Sequence, residues 1–115
     1  MANLMKAVGY NPPGLIETLH IAQRAIPALR ENECLVKVVY SALNRADTLQ
    51  RKGLYPPPPG DSDILGLEAV GYVYKEANSP NPIWKKNDRV MALVGGGGNR
   101  IYRLNSHQLH AQLRI

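Results

Sequence analysis

Three groups of residues could do chemistry on type and spacing alone. Gly95-Gly96-Gly97-Gly98 could offer backbone N–H groups to a phosphate, but a phosphate cradle needs a strand before the glycines and a helix opening after them. No helical pattern follows, so the run reads as a flexible, hairpin-like connection. His107 and His110 have the spacing of a metal-binding pair, with His20 the third histidine. Asp61, Asp63, Glu68 and Asp88 are too scattered along the sequence to complete a ligand set, and no metal site is expected. Cys34 is the single cysteine. Its neighbour Glu33 disfavours a thiolate, which makes a structural role the expectation.

The segment 41–73 is different. It gathers Asn44, Arg45 and Asp47 on what reads as a helical turn, then Tyr55 at the head of four prolines, then Glu68 inside Leu65-Gly66-Leu67-Glu68-Ala69-Val70-Gly71. Asn44 and Asp47 can cap or brace such a turn as well as bind a ligand. The proline run fixes φ residue after residue and keeps the loop stiff and extended.

The elements that hold these residues are mostly strands. Short β-branched runs at 5–10, 19–26, 34–42, 68–77, 87–94 and 100–104 are separated by Pro, Gly and Asn clusters. In 34–42, Val36, Val38, Tyr40 and Ala42 fall on one face and Leu35, Lys37, Val39 and Ser41 on the other. Residues 43–52 carry apolar residues at helical spacing, with Gly53 placed to end one or two turns. Asn87 suits the left-handed corner of a turn at 86–88. Six or seven short strands with so little helix predict a mainly β fold, a closed or partly open barrel in one domain over 1–115. An α/β fold needs long alternating helices, and the sequence has none.

Composition limits the partners. With 115 residues, 44% hydrophobic and 20% charged, the chain suits one small core. The formal charge is +5, but the 14 Lys and Arg are spread out. No aromatic-interleaved basic stripe runs along the chain, so specific nucleic-acid binding is not expected. A lone cysteine excludes an intrachain disulfide, no segment has the length to span a bilayer, and a cytoplasmic protein without membrane contact is expected.

The residues quoted from 41 to 73 also carry a resemblance. Ser41-Ala42-Leu43-Asn44-Arg45-Ala46-Asp47, the Tyr55 proline loop, Ile64-Leu65-Gly66-Leu67-Glu68-Ala69-Val70-Gly71 and Asp88-Arg89-Val90-Met91-Ala92 together resemble the zinc-free quinone oxidoreductases of the medium-chain dehydrogenase/reductase superfamily. The likeness runs from about residue 5 to 102. It implies a GroES-like irregular β-barrel with one or two short helical turns, the N-terminal, substrate-side domain of an NADPH-dependent quinone oxidoreductase. The Rossmann domain that would hold most of the NADPH is absent from this chain and would act in cis or in trans.

The resemblance implies that Asn44 and Tyr55 contact substrate, a quinone-type small molecule, and that Asn44, Arg45, Asp47 and Tyr55 face the cofactor. No residue is nominated as the catalytic acid. Zinc-dependent relatives place a cysteine where Asn44 stands and a histidine where Leu67 stands, so the resemblance implies no zinc; Glu68 keeps its acid with a bracing or an active-site role open. It also implies a homo-oligomeric full-length form and no turnover from the isolated chain. Two alternatives stay open: a truncated isoform serving as a binding or regulatory module, and part of an enoyl reductase. After Tyr102 the tail departs from the family pattern, as a divergent strand, the end of a cut chain or an alternative terminus.

Overall fold

The computed structural model describes residues 3–60, 62–98, 102–105 and 109–112, the last two stretches as backbone. Strands β1 (Leu4–Gly9) and β2 (His20–Ala25) form an antiparallel hairpin pairing Leu4 with Ala25 and Gly9 with His20. A single 3-10 turn, Ile16–Thr18, lies in the connection and is not among the elements expected from sequence. β3 (Cys34–Ser41), β4 (Glu68–Lys75), β5 (Arg89–Leu93), β6 (Tyr102–Asn105) and β7 (Leu109–Gln112) make a second antiparallel sheet in the order β6-β3-β4-β5-β7. One helix, α1 (Arg45–Arg51), bridges β3 to the proline loop. The mainly β architecture is as expected, and the strand boundaries differ from the predicted ones by one or two residues at most ends.

The core sits under the inward residues of both sheets. Val36, Val73, Val90 and Cys34 pack as one cluster with Trp84 against it, and Met5, Ala7 and Ile64 as another with Ile26 beside them. On β4 the buried residues Ala69, Gly71 and Val73 alternate with the more exposed Glu68, Val70, Tyr72 and Tyr74. This is the period of two that a half-buried strand requires.

β3 departs from its predicted alternation. Val38 pairs with Gly71 and Tyr40 with Val70, so Val39 is an extra residue in the ladder. Such a bulge switches the face of everything beyond it. Val38 stays on the inner side while Tyr40, expected on the same face, turns outward and is 70% exposed. A second irregularity between Leu35 and Val36 leaves Cys34, Leu35 and Val36 all buried in succession.

The turn at 86–88 forms as expected, with Asn87 at φ 73°. Lys85 N–H donates to Asp88 Oδ2 at 2.8 Å and Asn87 N–H to the Val73 carbonyl at 2.8 Å. The tail left open by sequence supplies β7, which pairs with β5 through Val90–Gln112 and Met91–Ala111. His107 and Asp61 lie outside the described residues, as does the side chain of His110.

Burial decides the state of Cys34. It is 2% exposed, and desolvation, with Glu33 adding repulsion, pushes its thiol up to about 11. A thiol whose pKa is higher folded than unfolded keeps its proton longer in the native state, so stability falls as pH rises from about 9 toward 11. Cys34 should therefore resist a thiol reagent at pH 8 until denaturant is added. Rapid labelling of the native chain at that pH would contradict the buried placement.

Candidate active site: a capped helix at the mouth of an apolar cleft

α1 is short, and a helix of seven residues needs outside help to persist. Asn44 is its N-cap, in extended conformation, and forms a capping box with Asp47. Asp47 is 5% exposed, with both carboxylate oxygens engaged. Oδ2 accepts the Asn44 N–H at 2.8 Å and Oδ1 the Gly66 N–H at 3.2 Å. The helix start is thereby tied to the irregular passage 62–67 before β4.

Its other end is closed by a Schellman motif. Gly53, at φ 81°, donates to the Gln50 carbonyl at 2.9 Å and Leu54 to that of Leu49 at 2.8 Å. Buried Gln50 donates to Tyr10 Oη and to the Asp63 carbonyl. Arg51 donates to the Gly14 carbonyl at 2.6 Å while its own carbonyl accepts from Gly14 N–H. These bonds anchor the helix to the hairpin on one side and to the 62–67 passage on the other.

Asn44 faces β4. Its Nδ2 donates to Glu68 Oε2 at 3.2 Å. The amide carries two N–H donors, so one is committed to Glu68 and the second can meet a ligand oxygen. Beside them opens a cleft of about 690 Å³ whose wall includes Ile16, Leu19, Ile21, Val39 and Leu43, with Asn44, Asp47, Thr48 and Arg51 as its polar rim. Apolar walls with a few placed polar groups suit a flat, largely apolar small molecule. Leu43 and Ile16 are 86% and 68% exposed, an unusual amount of bare aliphatic surface beside a polar pair.

Of the sequence-nominated residues, the structure brings Asn44 and Asp47 to the cleft. Arg45, one step round the helix, and Tyr55, 40% exposed beyond it, are outside the cleft lining. Glu68, to which sequence assigned no definite role, is hydrogen-bonded to Asn44. Thr48 and Arg51 were missed, although they follow Asn44 at i+4 and i+7, the spacing of one helical face. Among the described residues, no three His, Cys, Asp or Glu side chains come together as a metal site. An amide at 44 and a leucine at 67 supply no thiolate or imidazole for zinc.

The glycine run is neither a cradle nor a flexible link. Val94, Gly97 and Gly98 donate to the carbonyls of Leu67, Ile64 and Gly66 at 2.7, 2.6 and 2.9 Å. A Cβ at Gly96 would collide with the Ser62 carbonyl, and one at Gly98 would stand 2.7 Å from that of Glu68. The glycines permit two backbones to lie flush, and the amides of Gly97 and Gly98 are spent on carbonyls instead of being available to phosphate.

Two antiparallel sheets with one short capped helix beside an apolar cleft make up a GroES-like domain of the medium-chain dehydrogenase/reductase superfamily. A family model described as the alcohol dehydrogenase GroES-like domain matches residues 30–109, and the chain belongs to that family. It is 32% identical over 102 residues to the probable quinone oxidoreductase of Schizosaccharomyces pombe, covering 89% of this chain and 30% of that protein. The trans-enoyl reductase TOXD of Cochliobolus carbonum is 34% identical over 77 residues, covering 67% of this chain and 25% of that one. Among solved structures, the quinone oxidoreductase from Coxiella burnetii superposes with a TM-score of 0.84 over 96% of this chain and 38% of its own, at 23% identity. This last likeness is one of fold. The chain spans under a third of the length of the two curated relatives.

Proposed function

We propose that this chain is the substrate-side wall of an NADPH-dependent oxidoreductase that reduces quinones or similarly electron-poor substrates. A Rossmann domain, in cis or in trans, would complete the site. The observation that carries the reading is the Asn44–Glu68 pair at the mouth of an apolar cleft, in a chain similar to a probable quinone oxidoreductase. NADPH, when bound, supplies the hydride.

The residues present fit one wall of such a site. Glu68 fixes the amide plane of Asn44, whose second Nδ2 proton can then be donated to a substrate oxygen or to the cofactor. A donor aimed at an oxygen that gains charge stabilises the reduced product as it forms. Leu43, Ile16 and Ile21 offer a flat ring an apolar face and keep water from it. Asp47 contributes by holding Asn44 in place. Arg45 and Tyr55 meet the cofactor and substrate from outside the cleft, once the second wall is present.

The 115-residue chain alone should show no NADPH oxidation with an ortho-quinone. Fused in place of the segment it matches in the S. pombe relative, it should support that reaction, and Tyr55→Ala should raise KM about tenfold without unfolding the barrel, the loss of one aromatic contact. Unchanged kinetics would remove Tyr55 from the site. Similarity to a trans-enoyl reductase supports a second substrate class, and a fusion that reduces an α,β-unsaturated carbonyl but no quinone would establish it.

A further inference from the structure

The cleft beside Asn44 is electrically lopsided. Its lining holds two cations, Lys6 and Arg51, and one carboxylate, Asp47. Asp47 spends both oxygens on the N–H groups of Asn44 and Gly66, which ties it to the helix start. Among the described residues the one ion pair is Arg24 with Asp63, and neither Lys6 nor Arg51 is paired with a carboxylate.

Chain geometry places these charges. On β1 the buried Met5 and Ala7 alternate with Lys6 and Val8. Val8 stands opposite Ile21, an apolar wall residue, so Lys6 extends the same hairpin face by one step. Arg51 follows Asn44 by seven residues, two turns along one helical face and about 10 Å of rise. One Arg51 N–H is spent on the Gly14 carbonyl at 2.6 Å, and a guanidinium has five such donors, so most are left for a ligand. Glu68 lies at the other end, bonded to the Asn44 amide. The cleft is acidic where the helix starts and cationic where it ends.

We propose that Lys6 and Arg51 select acidic substrates, with a carboxylate about 10 Å from the oxygen that meets Asn44, the distance set by two turns of α1. This rests on the reading of the cleft as the substrate site. The apolar body of such a molecule lies against Ile16, Ile21 and Leu43, and its carboxylate takes charge-assisted hydrogen bonds from the two cations. A neutral quinone leaves both cations unused. The phosphates of the cofactor are a second source of negative charge, and the test separates the two.

The test compares a naphthoquinone carrying a carboxyl-ended side chain with its methyl ester, both reduced by the fusion with the S. pombe segment. The acid should have the higher kcat/KM by about tenfold, through KM, and the advantage should shrink as salt is raised. Arg51→Gln and Lys6→Gln should each cut the acid-to-ester ratio by about fivefold or less, the upper range for an exposed ion pair, and Arg51→Lys should keep most of it. Because Lys6 is exposed, Lys6→Gln is readable even if Arg51→Gln fails to fold. Equal kcat/KM for acid and ester, an unchanged ratio in both glutamine variants, or a rise in the KM for NADPH that is the same with either substrate would each overturn the proposal. If the fusion reduces neither compound, the functional reading falls, and the charge preference is decided by binding to the 115-residue chain. There a non-reducible naphthyl-alkanoic acid should shift the backbone amides of Lys6 and Arg51 at about tenfold lower concentration than its ester. Equal binding would overturn it.

Discussion

Gly71→Ala is expected to destabilise the chain by about 3 kcal/mol, the upper range for overpacking a close-packed interior. Gly71 lies in the middle of β4, opposite Val38 and beside the bulge of β3. A Cβ there would fall inside the contact distance of the Lys37 carbonyl oxygen and 3.0 Å from Val38 Cα. Both obstacles are backbone, so no side-chain rotation relieves them. A domain has about 5–15 kcal/mol of stability in all, and one methyl should consume much of it. Urea unfolding followed by Trp84 fluorescence would measure the change. A midpoint matching wild type would mean that the two strands are not in this register.

Asn44→Ala should lower kcat about 100-fold in the fusion with the S. pombe segment, the usual loss when one placed donor to a developing oxyanion is removed. The same change removes an N-cap, at a cost of about 1 kcal/mol. Asn44→Asp separates the two effects. It preserves shape and capping oxygens but removes both Nδ2 protons, and it sets a second carboxylate against Glu68, so activity should fall as far as in the alanine variant. Glu68→Gln keeps an acceptor for Asn44 and should lose about tenfold or less, a positioning effect. Full activity in Asn44→Asp would show that no donation from residue 44 is needed.

Much of this arrangement is legible before any coordinates. Asn44 and Asp47 read as cap residues and Gly53 as a terminator because such signals are local, set by the residue's own backbone and its neighbours within a turn. Asn87 at positive φ is legible for the same reason. What the sequence conceals depends on pairing. Nothing local marks Val39 as an extra residue, and that single insertion decides which face Tyr40 occupies. The glycine run misled because its composition suits a loose link, whereas its role depends on the carbonyls of Ser62, Ile64, Gly66 and Glu68 lying across from it. Asn44 and Glu68 are 24 residues apart, and only the pairing of β3 with β4, which sets Ser41 opposite Ala69, brings them together.

The most direct test of the proposed site is the side-chain amide signal of Asn44 in the 15N-labelled fusion, followed as NADPH is added. This signal and the Glu68 backbone amide should shift together, while Gly97, outside the cleft lining and bonded to the Ile64 carbonyl, moves little. A titration that shifts Gly97 and leaves Asn44 in place would contradict the proposed site.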